Sequence, residues 1–234
     1  MTAERWAVRH RPAPGRLLPL GGPRDGAWIS EEAAAAALRG AAGKTRGVRL
    51  DVLRVALADP EDVCDPPVPP PPGALPPGPL RVTAEFAATA AVPLPATAAL
   101  VRTALAAAAG ERLGLRVAEV DLRVTALLEA EPDSAPPRRP DPPHATGPGP
   151  GDEGRVAAAA LSVPGVTRLT ACLGRAVHLE QRHEAGALPH RHARVEFAVD
   201  AGHRASDVAR QVRAAVHAAL PDRPTVAVVV TAAG

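Results

Sequence analysis

The sequence predicts an α+β protein built from two related units, each roughly α-β-β-β-α-β, with helices packed on one face of a small sheet. Three observations predict it. A Glu-Phe strand occurs twice, as Ala84-Glu85-Phe86-Ala87 and as Val195-Glu196-Phe197-Ala198. Fifteen residues after each Phe comes a matching helical run, Val101-Arg102-Thr103-Ala104-Leu105 and Val212-Arg213-Ala214-Ala215-Val216. Each unit then closes on an alternating run, Val120, Leu122, Val124 before Thr125, and Val226, Val228, Val230 before Thr231. Equal spacing across an intervening loop marks an internal repeat, and the period of two marks the closing runs as strands.

A chain of 234 residues accommodates two small domains. Its apolar residues are mostly Ala and Val, with two Phe, two Trp and no Tyr. Stability in such a core comes from many small contacts.

Taken in order, residues 1–28 read as an N-terminal extension, partly disordered. The first unit spans 29–128. Ser30 followed by Glu31 and Glu32 reads as an N-cap with acids in the first turn, opening a helix through Leu38. A Pro-rich stretch, 59–79, falls between two strand-like runs and reads as a long loop; its run from Pro66 to Pro79 has the composition of a polyproline II ligand for an aromatic groove. Residues 129–151 have the Pro, Gly and charge content of a disordered linker.

The second unit spans 152–233. Asp152 and Glu153 open its first helix; strands follow at Val166 to Ala171, Arg175 to Gln181 and His192 to Asp200. Ser206 with Asp207 reads as the start of a helix to Leu220, whose Val208, Val212, Ala215, Val216 and Ala219 form one apolar stripe. Pro221 and Pro224 end it. The predicted core is Phe86, Val101, Leu105, Phe197, Val212 and Val216.

Composition also narrows function. The formal charge is +2 with acids and arginines interspersed, so no basic stripe exists to neutralise a run of phosphates, and nucleic acid is not expected as a partner. Arginine far outnumbers the single lysine, Lys44, which with the Ala and Pro content matches a high G+C coding bias of the actinomycete kind. Cys64 and Cys172 are too few and too isolated for a disulfide framework or a zinc site. No run is long and uncharged enough to span a bilayer, and the N-terminus lacks the apolar stretch of a signal peptide. The chain is therefore expected in the cytoplasm, with any membrane contact made through a partner.

Four histidines gather in the second unit, His178, His183, His190 and His192. If Val195, Phe197 and Val199 turn inward, His178 and His192 project to the opposite sheet face, where with His190 they are candidate metal ligands; the simpler reading is a solvated polar face. Glu85 and Glu196 read the same way, as solvent-facing residues beside each Phe. Ser30, Ser162 and Ser206 lie in no nucleophile context, and Gly21 to Gly26 lacks the ending of a phosphate loop. No catalytic residue and no cofactor is expected.

The runs VPGVTRL, GRAVHLE and HARVEFAVDAGHRASDVARQVRAAVHAALPDRPTVAVVVT resemble the alkaline-shock-protein family of Gram-positive bacteria. The resemblance covers about Gly151 to Ala233, with a degenerate copy over about Ile29 to Leu127. It implies a non-catalytic α+β domain of the envelope or general stress response, self-associating and in some members recruited by a membrane-anchored partner. The closing runs, Val117 to Thr125 and Thr225 to Thr231, are expected at sheet edges, where they would pair with one another or with another chain.

Overall fold

A computed structural model describes residues 15–132, 150–183 and 189–234. Most of the expected linker, 133–149, and the start of the N-terminal extension, 1–14, lie outside the described residues. The fold is α+β. The first half contributes α1 (Glu31–Ala42), β3 (Val48–Leu57), β4 (Leu80–Thr89), α2 (Leu94–Ala107), a π-helical turn (Ala108–Leu113) and β5 (Val117–Leu128). The second contributes α3 (Asp152–Leu161), β6 (Val166–Leu169), β7 (Val177–Arg182), β8 (His190–Val199), α4 (Ala205–Ala219) and β9 (Thr225–Ala233). Two short strands precede both, β1 (Leu17–Pro19) and β2 (Ala27–Ser30).

Both sheets follow one connectivity. β4 pairs antiparallel with β3 and parallel with β5. β8 pairs antiparallel with β6 and β7 and parallel with β9. Phe86 lies opposite Leu50 and Val124, and Phe197 opposite Leu169 and Val230. A register shift follows each Phe on the parallel side. The helix-to-strand turns each use a left-handed glycine, Gly47 (φ 68°) and Gly165 (φ 93°), a conformation a Cβ disfavours. The first half has two strands between its helices where three were expected, because β3 runs unbroken and its counterpart is split into β6 and β7.

All six predicted core residues are fully buried. They belong to one apolar cluster that runs through both halves, from Leu38, Phe86 and Leu105 to Val156, Phe197 and Val216. α1 packs on β9 as well as on β3. The units are thus not separate bodies, and the two sheets do not pair with each other.

Local signals explain the elements. Ser30 caps α1 as expected, its Oγ accepting from the Ala33 N–H at 3.2 Å. Ser206 is not a cap: α4 starts at Ala205, and Ser206 is buried inside its first turn. Val208, Val212 and Val216 do form the buried stripe of α4.

Three sequence expectations change. Leu17–Pro19 and the start of β2 (Ala27 and Trp28), placed in an extension, are strand residues of the larger sheet, whose order is β1-β2-β9-β8-β6. The Pro-rich loop is a strap that returns across that sheet: Leu17 N–H donates to Gly73, Leu75 N–H to Leu17, and Trp28 Nε1 to Leu75, at 2.9, 2.8 and 3.0 Å. Val68 of the strap joins Leu17, Trp28, Ala227 and Val229 in a second small core. Finally, β9 is no edge strand. β2 lies parallel to it, and Val226 to Val230 are buried on both faces, helices on one side and strap on the other. Five apolar residues in succession are what a doubly covered strand requires.

Candidate functional site

The polar residues of β7 and β8 come to one face of the larger sheet. Cross-strand pairing sets His178 opposite Arg194, Glu180 opposite His192 and Arg182 opposite His190. The prediction that His178 and His192 share the face opposite Phe197 therefore holds. That face is not open, because Pro69 to Pro72 of the strap stand over it. Two clefts flank the strap, one of about 330 Å³ lined by His178, Glu180, Arg182, His192 and Arg194, the other of about 510 Å³ lined by Arg182, His190 and Thr225.

Burial reshapes the chemistry of this face. His192 is 4% exposed and its Nδ1 meets the Thr225 hydroxyl at 2.8 Å. Desolvation lowers its pKa to about 4, so the ring is neutral near pH 7. Glu180 carries the negative charge of the cleft and pairs with Arg182 at 2.8 Å, a hydrogen bond that holds its carboxyl below the usual range; His178 lies 3.5 Å away. Among the described residues no group of three or more His, Cys, Asp or Glu is placed to hold a metal ion. His178, His190 and His192 share a face without forming such a group.

Glu196 departs from expectation. It is fully buried beneath the turn at Ala171 to Gly174, and its Oε2 accepts the Leu173 N–H at 2.9 Å. Its Oε1 lies 3.6 Å from Arg194 and has no hydrogen-bond partner among the described residues, and neither does the buried Arg194 Nε. Desolvation raises this carboxyl to about 7, against the opposing hydrogen bond and the nearby guanidinium. Glu85, in the equivalent place on β4, stays on the solvated outer face of the smaller sheet, 3.6 Å from Arg123. The strands match, but only one face is covered. Beside Glu196 the Cys172 thiol is half-buried and pushed up by that burial; Cys64 is exposed.

The serines take structural parts. Ser162 donates to the Ala159 carbonyl at 2.8 Å within the end of α3, and Ser206 to Asp207. Gly21 to Gly26 is a turn closed by the Asp25 carboxylate on the Gly22 N–H at 2.8 Å.

A second feature lies at the far side of the molecule. β5 pairs with β4 and with no other strand among the described residues, so its twelve residues form a sheet edge. The Val120 carbonyl receives Arg102 Nε from α2 at 3.4 Å. Alternation then turns the backbone groups of Leu122 and Val124 to the same open side. Val124 and Leu127 are exposed there. The equivalent edge is closed in the second half: the Val228 N–H, counterpart of Leu122, donates to the Gly26 carbonyl at 3.2 Å. Arg213, counterpart of Arg102, donates to the Arg24 carbonyl at 3.0 Å, just before β2. Gly26 takes φ 56° to bring the chain into that pairing.

Sequence alone pointed to both closing runs as edges, and only β5 is one. The missed signal is the Ala-Trp-Ile-Ser run, short, apolar and β-prone, sitting at the head of the first helix.

No family model matches this chain, and no curated protein and no solved structure is similar enough to it to count as a match. No helix among the described residues is long and apolar enough to cross a membrane.

Proposed function

We propose that this protein is a non-catalytic interaction protein that works by strand addition at β5. The observation that carries the reading is the asymmetry of the two halves. One closing strand has its outer edge filled by the chain's own β2, and the other presents the same row of backbone groups with no strand beside it among the described residues. Unpaired N–H and C=O groups on a long edge are a template for another strand. The resemblance of the second half to alkaline-shock proteins supports a scaffold role in an envelope or general stress response, with a protein as partner, a membrane-anchored one included.

The test is a comparison of wild type with Val124→Pro. Val124 is exposed and alternation turns its N–H to the open side, so proline removes a donor that faces away from β4 while blocking an added strand. With the circular-dichroism spectrum unchanged, the variant is expected to lose the proteins that wild type captures from native lysate. Retention of all of them would refute the reading.

One observation favours a second reading, a small-ligand site on the His-rich face. The smaller cleft holds Arg194, whose buried Nε has no acceptor among the described residues. Calorimetric titration with divalent metals and small anions separates the two readings, since strand addition predicts no heat.

A further inference from the structure

The open edge of β5 carries its own complement. It presents Val120, Leu122 and Val124 with backbone groups outward, while Glu119, Asp121 and Arg123 stand on the solvated face of the sheet. Asp121 and Arg123 are 60% and 78% exposed, and each lies 3.6 Å from an opposite charge on β4, Arg81 and Glu85, a solvent-screened contact that leaves both able to meet a partner.

Consider two copies of β5 brought together antiparallel about a two-fold axis, the symmetry that most homodimers use. If Leu122 meets Leu122 of the second copy, Val120 falls opposite Val124 in backbone-bonded pairs. Asp121 then falls opposite Arg123, twice by symmetry, in the intervening pairs whose Cα atoms approach to about 4.5 Å. Centring the axis on Asp121 or on Arg123 sets like charges against themselves. Centring it on Val120 sets Asp121 against Glu119. Centring it on Val124 sets Arg123 against Thr125 and Asp121 against Leu127, which forms no ion pair. One register therefore matches charge, apolar side chains and backbone polarity together, and its neighbours either lose the ion pairs or add repulsion.

The geometry points to a second copy of this chain as the occupant of the β5 edge, paired antiparallel through Leu122 with reciprocal Asp121–Arg123 contacts. This rests on the reading of β5 as a strand-accepting edge. Arg102 releases the Val120 carbonyl on pairing; it is exposed and held there by a 3.4 Å contact. The dimer joins the two small sheets into one six-stranded sheet, with α2 of each copy on the same side.

Complementary charge variants test the register. Asp121→Arg gives an edge with two arginines, and Arg123→Asp an edge with two aspartates. Each variant alone is expected to sediment as a monomer at a concentration where wild type is a dimer, and an equimolar mixture of the two is expected to recover the dimer. Melting curves check that both remain folded.

Two results would overturn the inference. One is a wild type that stays monomeric at about 1 mM, beyond which association is too weak to call specific. The other is a pair of variants that dimerise as wild type does. Neither touches the broader reading if wild type still captures a partner that Val124→Pro loses. Loss of that difference would remove the reading itself.

Discussion

Replacing Phe197 by Ala is expected to destabilise the protein by about 3–5 kcal/mol, the cost of deleting a fully buried aromatic ring and leaving a cavity. Phe197 lies mid-sheet between Leu169 and Val230, inside a core whose other members are mostly Ala and Val. Small neighbours cannot move far enough to refill the space, so the upper part of the range applies. The same cluster serves both halves, and the loss should appear as one cooperative transition at lower temperature. Calorimetry checks this. An unchanged melting temperature would contradict the core assignment, and two separated transitions would contradict the shared core.

The second large effect is one of pH. Glu196 ionises at about 7 in the folded protein against an ordinary 4.5, so its contribution to stability is complete below pH 4.5 and is lost as pH rises through 7. The shift corresponds to about 3 kcal/mol. His192 slopes the other way: its folded value of about 4 lies below the ordinary 6.5, so its contribution is present above pH 6.5 and lost as pH falls through 4. Between about pH 4.5 and 6.5 the two slopes oppose each other, and wild type should show a plateau.

Glu196→Gln keeps an acceptor for the Leu173 N–H and removes the charge. Relative to wild type it should gain little at pH 4.5 and about 2–3 kcal/mol by pH 8. Denaturant titrations at several pH values read this directly. A difference that does not vary from pH 5 to 9 would show that Glu196 is not buried as described.

These residues show what was legible in the sequence. Phe86, Phe197 and the valines of α4 were identifiable because period and spacing are local properties, and the His face was placed correctly because strand alternation is local too. What could not be read was which faces are covered. Glu196 and Glu85 occupy matching places, yet one is buried because the turn at Leu173 closes over it while the strap of Pro66 to Pro72 covers the neighbouring polar face. That strap lies more than a hundred residues away in sequence. The same holds for β9. Its run of valines fits an edge or a doubly covered strand, and β2, about two hundred residues earlier, decides between them. Long-range covering of a sheet leaves no periodic trace in the covered strand.

The central claim is that two equivalent closing strands differ in their outer edges, β9 filled and β5 open. Native-state hydrogen exchange on dilute protein tests it most directly. The Val228 and Val230 amides are expected to exchange only through global opening, while Leu122 and Val124, their counterparts on β5, exchange at least about tenfold faster. Equal protection of the two pairs in the monomer would contradict the account.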